Sequence, residues 1–177
     1  MSETPERQPD SEVPVAPEAM EGAETQAVEE RPPEKQWCIF RAGRERFCLA
    51  VLDVEEVVEW PKLTNMPLGP AFLMGIFNLR GSIVPVIDIA FTESRRADVS
   101  PKHVVVACLR AHGDLDDIRI GIAADEVIGT FTTSDPLLVD EAPKDVPHCC
   151  GMLRHDDRLA LALDLKRLTE NFPVPVI

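Results

Sequence analysis

From Trp37 onward the chain is a succession of short apolar runs separated by turn residues, at lengths suited to strands. Trp37-Cys38-Ile39-Phe40 and Phe47-Cys48-Leu49-Ala50-Val51 flank Arg41-Ala42-Gly43-Arg44-Glu45-Arg46, a β-hairpin signature with glycine near the turn. Asp53-Val54-Glu55-Glu56-Val57-Val58 carries valines at i, i+3 and i+4. That spacing predicts a short helix, capped by Asp53, with Glu56 at the N3 position of a capping box and Pro61 limiting its length. Pro70-Ala71-Phe72-Leu73-Met74 reads as a helical turn opened by proline. Gly75-Ile76-Phe77-Asn78-Leu79, the turn Arg80-Gly81 and the strand Ser82 to Asp88 follow. Pro85 removes a ladder donor, so that strand is expected at an edge or with a bulge.

Residues 92–102 read as a polar loop, Val104 to Leu109 as a buried strand and His112-Gly113-Asp114 as a turn. Ile118-Arg119-Ile120-Gly121-Ile122 alternates as a half-buried strand does. Residues 132–148 read as proline- and acid-containing loop or short strand. Leu159-Ala160-Leu161-Ala162-Leu163 alternates large and small residues, which suits a strand covered on both faces. Asp164 then caps a last helix, Leu165 to Asn171. Eight to ten short strands with a few single-turn helices spell a barrel or sandwich, not α/β. A strand ending in Asp53 and another in Asp88 are echoed by strands ending in Asp125 and Asp164, which suggests two similar small barrels.

Composition changes the picture at the N-terminus. Residues 1–35 hold ten acids and three bases, six of the 16 prolines and no aromatic residue. Such a stretch buries too little apolar surface to offset its ordering entropy, so 1–35 is expected to be a disordered acidic tail and 36–177 the folded domain. Two uses remain open for the tail: a solubilising extension, or a tether that docks to something basic. It has no apolar h-region, so no secretory signal is expected, and no apolar run approaches membrane-spanning length. A net charge of -13 disfavours nucleic acid, whose phosphates need Lys and Arg. Five cysteines without a CxxC pair read as reduced thiols in a cytoplasmic protein.

Candidate chemistry is sparse. Asp88, Asp125 and Asp164 would bind a metal or act as acid and base if clustered, but aspartate at a strand end more often caps the next turn. His148-Cys149-Cys150 is soft-metal chemistry in miniature, short of the four ligands of a structural zinc site. No GxSxG, Walker loop, GxGxxG or HExxH occurs, and His103, His112 and His155 have no evident nucleophile beside them. No catalytic, cofactor-binding or metal residue is therefore assigned. Arg80 at a hairpin tip is either a solvated arginine in a tight turn or a projecting partner-binding side chain. Glu56 carries the same ambiguity.

Asn78-Leu79-Arg80-Gly81-Ser82-Ile83-Val84-Pro85-Val86-Ile87-Asp88 resembles the NLRGxxxPVxDL segment of CheW-like domains, the coupling proteins of bacterial chemosensory arrays. The hairpin Phe40 to Leu49, Asp53-Val54-Glu55-Glu56-Val57 (the family's DVxEV helix), Pro70 to Gly75, Gly121 to Val127 and Leu159 to Leu168 resemble further family segments in the same order. The resemblance implies a mainly-β fold of two small SH3-like five-stranded β-barrels sharing a core, with short helices. It implies no catalysis and no cofactor, and an adaptor that joins the cytoplasmic tip of chemoreceptors to the regulatory domain of a CheA-type histidine kinase. Carried over by position, Asn78, Arg80 and Gly81 fall on the receptor-facing motif and Val54 and Glu56 on the helix whose equivalents also support receptor coupling. Ala90 replaces a common Arg, Ala124 a usual Val, and 149–158 lacks most of the family's glycines. Two alternatives stand beside this: a binding module of a chemosensory-like pathway for surface motility or development, and a small metal-dependent enzyme.

Overall fold

The computed structural model describes residues 33–90, 100–110, 117–140 and 143–173. Residues 1–32 of the expected tail, most of the 92–102 loop and the turn at His112-Gly113-Asp114 lie outside them. The described residues form β1 (Lys35–Ala42), β2 (Glu45–Ala50), β3 (Val54–Glu59), β4 (Leu73–Leu79), β5 (Ser82–Ile87), β6 (His103–Leu109), β7 (Ile118–Ala124), β8 (Glu126–Thr133), β9 (Cys149–His155), β10 (Arg158–Leu163) and α1 (Leu165–Asn171). The fold is mainly β, in two five-stranded sheets: sheet I in the order β8-β1-β2-β10-β9 and sheet II in the order β3-β6-β7-β5-β4.

Several local expectations hold and several are corrected. The helix α1 starts after Asp164, whose carboxylate accepts the Arg167 N–H at 3.0 Å. The helix expected over Asp53–Val58 is strand β3, preceded only by the 3-10 turn Val51–Asp53. The β-branched Val57 and Val58 pair instead with Val105 and Val104 of β6. Pro70 opens one hydrogen-bonded turn, closed by the Leu73 N–H, and Met74 is already in β4. β5 is neither an edge strand nor bulged; the extra residue lies in β4, between Leu73 and Gly75. Pairing alternates outward from the two-residue turn, which puts Pro85 opposite Ile76 with its ring nitrogen turned away from β4. Parallel pairing with β7 begins only at Val86, so no ladder donor is missed there. β7 is buried over Ile120–Ala124, not half-buried, because it is interior to sheet II. Residues 126–133 and 149–155 are full strands.

Sheet II maps onto sheet I strand for strand, β3 on β8, β6 on β1, β7 on β2, β5 on β10 and β4 on β9. The bulge at Glu55 matches one at Ile128, and that at Met74 matches one at Cys150. The bridge Thr64↔Ile76 matches Leu138↔Met152. The echoed aspartates therefore mark a real duplication. Their pairing in space differs from their pairing in sequence: β2 and β10 are parallel neighbours, as are β5 and β7. Asp53 thus lies near Asp164, and Asp125 near Asp88, close enough for each pair to interact electrostatically.

Three apolar clusters hold the domain. One, including Phe40, Phe47, Leu49, Ile87, Val105 and Ile122, is shared by both sheets. A second belongs to sheet I and centres on Trp37, Ile39, Leu153 and Ala160. A third belongs to sheet II and centres on Phe77, Val84, Val86, Val104 and Val106. The interior strands β1, β2, β5, β6, β7 and β10 are thereby buried over half or more of their length, which is why their sequences read as continuous apolar runs.

Candidate functional site

The β4–β5 turn is a two-residue hairpin connection with φ of 51° at Arg80 and 95° at Gly81. Positive φ at both central positions is the geometry that matches strand twist, and it favours Asn, Asp or Gly. A Cβ on Gly81 would meet nothing within 4 Å, so glycine is there for conformation and not for space. Asn78 accepts the Gly81 N–H on its side-chain oxygen at 2.8 Å and closes the turn. Arginine gains nothing from this conformation, which costs an ordinary L-residue about 1 kcal/mol.

Arg80 donates to Glu56 at 2.7 Å. The cation is 82% exposed, whereas its partner is only 21% exposed. β3 and β4 are the two terminal strands of sheet II, so this ion pair bridges the ends of the ladder. An exposed pair of this kind contributes roughly 0.2–1 kcal/mol. Arg80 and Glu56 are thus brought together, Asn78 and Gly81 shape the turn, and Val54 packs against the shared core. Glu55, in the bulge, pairs with Arg119 at 2.7 Å.

The other candidates are structural in their contacts. Asp88 accepts the Ala90 N–H at 3.0 Å and Asp164 caps α1. Asp125 is buried and accepts from the Gly43 N–H at 2.8 Å and from Arg41 at 3.1 Å, clasping the β1–β2 turn to the β7–β8 junction. Burial pushes its carboxyl above the usual aspartate range, against the pull of the Gly43 N–H and Arg41. Nothing in the sequence pattern singled out Arg41; the only available signal was a charge at the end of a buried strand. His148 is buried and meets Phe172 at 5.2 Å, and Phe172 in turn meets Phe72 at 5.0 Å. His148 and Phe72 occupy equivalent places before β9 and β4, so the histidine fills a ring-shaped space. Cys150 donates weakly to the Ala162 carbonyl, and Cys38, Cys48, Cys108 and Cys149 are buried. Burial raises the Cys48 and Cys150 thiols, which suppresses thiolate chemistry. Among the described residues no group of three or more His, Cys, Asp or Glu is placed to hold a metal ion, and no helix is long and apolar enough to cross a membrane.

A duplicated, mainly β domain that presents a strained, charged tip has the character of a binding module. The family model described as CheW-like domain matches residues 36–172, and the chain belongs to that family of chemotaxis adaptor domains. It is 28% identical to the "Probable chemotaxis protein CheW" of Rhizobium etli over 143 residues, covering 76% of this chain and 87% of that protein. It is 31% identical to the chemotaxis protein CheW of Klebsiella aerogenes, covering 76% and 81%. Protein FrzA of Myxococcus xanthus is 31% identical over 58% of this chain and 61% of its own length. The crystal structure of the scaffolding protein TtCheW from Thermoanaerobacter tengcongensis aligns with a TM-score of 0.60 and 27% identity, covering 77% of this chain and 88% of that one.

Proposed function

We propose that this chain is a non-catalytic cytoplasmic adaptor that holds a chemoreceptor's cytoplasmic tip and the regulatory domain of a CheA-type histidine kinase in one signalling assembly. In this reading each sheet is the wall of a small SH3-like barrel; for sheet II the ion pair that joins β3 to the β4–β5 tip supports it. The acidic extension lies outside the folded domain, which begins with β1 at Lys35, one residue before the expected 36–177 boundary. Val54, Glu56, Asn78, Arg80 and Gly81 form the receptor-facing surface: Asn78 and Gly81 set the turn, Glu56 aims the guanidinium, and Val54 anchors β3 beneath it.

The observation that carries the reading is Arg80 itself, an exposed cation kept in a conformation that a neutral turn residue would adopt more easily. Charges at such a rim govern orientation and specificity more than raw affinity. Calorimetry with a receptor signalling-tip fragment tests it. Arg80→Glu, which sets a second carboxylate against Glu56, is expected to weaken binding at least tenfold with the thermal melt little changed. Unchanged affinity would remove Arg80 from the interface. A second reading keeps the adaptor but places it in a chemosensory-like pathway for surface motility or development; the likeness to Protein FrzA, a relative not named for chemotaxis, favours keeping it. Identifying the kinase that co-purifies from the native organism separates the two.

A further inference from the structure

The two sheets end on equivalent strands, β3 in sheet II and β8 in sheet I, each antiparallel to one neighbour with its other edge facing away. Their registers make them comparable residue by residue. Val57, Val58 and Glu59 face Val105, Val104 and His103 of β6, as Thr130, Phe131 and Thr132 face Cys38, Trp37 and Gln36 of β1. Both strands carry a bulge, at Glu55 in one and at Ile128 in the other.

An edge strand offers unpaired backbone N–H and C=O groups to any other strand, and proteins guard such edges with charge or proline. β3 is guarded: Glu55, Glu56 and Glu59 are half of its six residues. At the same three positions β8 has Ile128, Gly129 and Thr132. No charged residue and no proline occurs from Val127 to Ser134. Thr130 and Thr132 are exposed, and a Cβ on Gly129 would meet nothing within 4 Å. Among the described residues, Gly129 to Thr133 have no backbone partner other than β1. Beyond the bulge these residues pair with β1 in unbroken register, so the bulge does not blunt their outer edge. The fold does not explain the bare edge, because the same strand is guarded in the other half.

We propose that β8 is a self-association edge: two copies of the chain pair their β8 strands antiparallel about a two-fold axis, which joins their first sheets into one. Charge selects a second copy as the occupant. Two chains of net charge -13 repel each other, so a contact between them has to add no further repulsion. β3 against β3 sets glutamates on glutamates, whereas β8 against β8 sets no charges together. With the axis at Phe131, Thr130 of one copy lies opposite Thr132 of the other, twice over, and Thr–Thr pairs are favourable across strands. The contact is isologous and closes at two copies. The Arg80 tip belongs to sheet II, so such a dimer carries two tips. This inference stands independently of the adaptor reading.

Sedimentation equilibrium of the full chain, with thermal melts alongside, tests it. An edge this short is a small interface, so wild type should dimerise weakly, with a Kd of roughly 10–100 µM. Raising salt from about 0.05 M to about 0.3 M should tighten the dimer severalfold by screening the mutual repulsion. Thr130→Glu combined with Thr132→Glu sets acids of the two copies against one another and is expected to weaken the dimer at least tenfold. Thr130→Lys combined with Thr132→Glu sets opposite charges there and should dimerise at least as well as wild type at the lower salt. Both pairs of substitutions lie at exposed positions, so the melts should change little. Wild type that stays monomeric to about 1 mM overturns the inference. So does a dimer that loosens with salt, one that the all-acid variant leaves intact, or one that both double variants abolish equally. Hydrogen exchange on wild type decides the matter should a variant fail to fold: amides within 129–133 must gain protection as concentration rises, and protection gained only elsewhere overturns the assignment to β8.

Discussion

Sheets I and II share strand order, bulges and a common core, yet they fill their private cores by opposite means. Trp37 in β1 corresponds to Val104 in β6, and Ala160 and Ala162 in β10 correspond to Val84 and Val86 in β5. One half sets a large ring against small residues; the other packs valines against Gly121. The two tips diverge as well. Asp156-Asp157, with φ of 47° and 56°, repeats the geometry of Arg80-Gly81 using a residue type that tolerates it. Where Arg80 is tied to Glu56, the equivalent of Glu56 is Gly129, and the tip-flanking His155 instead meets Phe131 at 4.6 Å. A scaffold built twice separates what folding needs from what it does not: shared features belong to the architecture, and unshared surface features are where function is to be sought.

The strongest way to break the core comparison is Trp37→Ala. Loss of a buried tryptophan costs about 3–5 kcal/mol, read from urea denaturation. Trp37→Val combined with Ala160→Val and Ala162→Val should recover at least half, because it recreates the packing of sheet II. Ala160→Val with Trp37 intact should destabilise. Next comes Gly121→Ala, whose Cβ would lie 2.7 Å from Val104 Cγ1 and 3.1 Å from Val86 Cγ2. Overpacking there is expected to cost roughly 1–3 kcal/mol, relieved in part by Val104→Ala. If Gly121→Ala is neutral, sheet II is not packed as tightly as the contrast with Cys48, its counterpart in sheet I, requires.

At the tips the expected stability changes are smaller and of opposite sense to function. Arg80→Asn removes an unfavourable backbone strain of about 1 kcal/mol and an exposed ion pair of similar or lesser value. The melting temperature should stay level or rise while receptor-tip binding falls. Asp157→Asn, in the other half, should change neither by a comparable amount. A parallel loss of binding from both tips would dissolve the functional asymmetry between them.

The legible parts of the sequence were those where one rule governed. Asp164 before an apolar period predicted α1, and Asn-Leu-Arg-Gly between apolar runs predicted the tip hairpin. β3 carries a helical pattern in its sequence because its inward positions, Val54, Glu56 and Val58, include a glutamate. With that position polar, the remaining valines fall at helical spacing, and the bulge at Glu55 further shifts the strand period. The β-branched run Val127 to Thr133 was the available signal for β8, obscured by Gly129. The pairing of Glu56 with Arg80 was not legible, because it depends on two terminal strands of one sheet meeting.

The finest difference between the halves lies in two aspartates, the partly buried Asp53 in the turn after β2 and the buried Asp125 directly after β7. Burial raises both Asp53 and Asp125, with nearby Asp164 adding to the first and Asp88 to the second. Only Asp125 is opposed by both the Gly43 N–H and Arg41, and burial still prevails. A carboxyl whose folded pKa lies above its unfolded value, about 3.9, contributes stability that is fully present below that value. The contribution is lost as pH rises through the folded pKa, because ionisation is then easier in the unfolded chain. Asp125→Asn keeps an oxygen for the Gly43 N–H and does not titrate. The stability difference between variant and wild type should therefore move in the variant's favour from pH 3.5 to pH 7. Asp53→Asn should show the same sign, without sacrificing a clasp to Arg41. Denaturant titrations at the two pH values measure both differences. A shift toward wild type at higher pH for Asp125→Asn would mean that Arg41 outweighs burial, making the clasp a net source of stability at neutral pH.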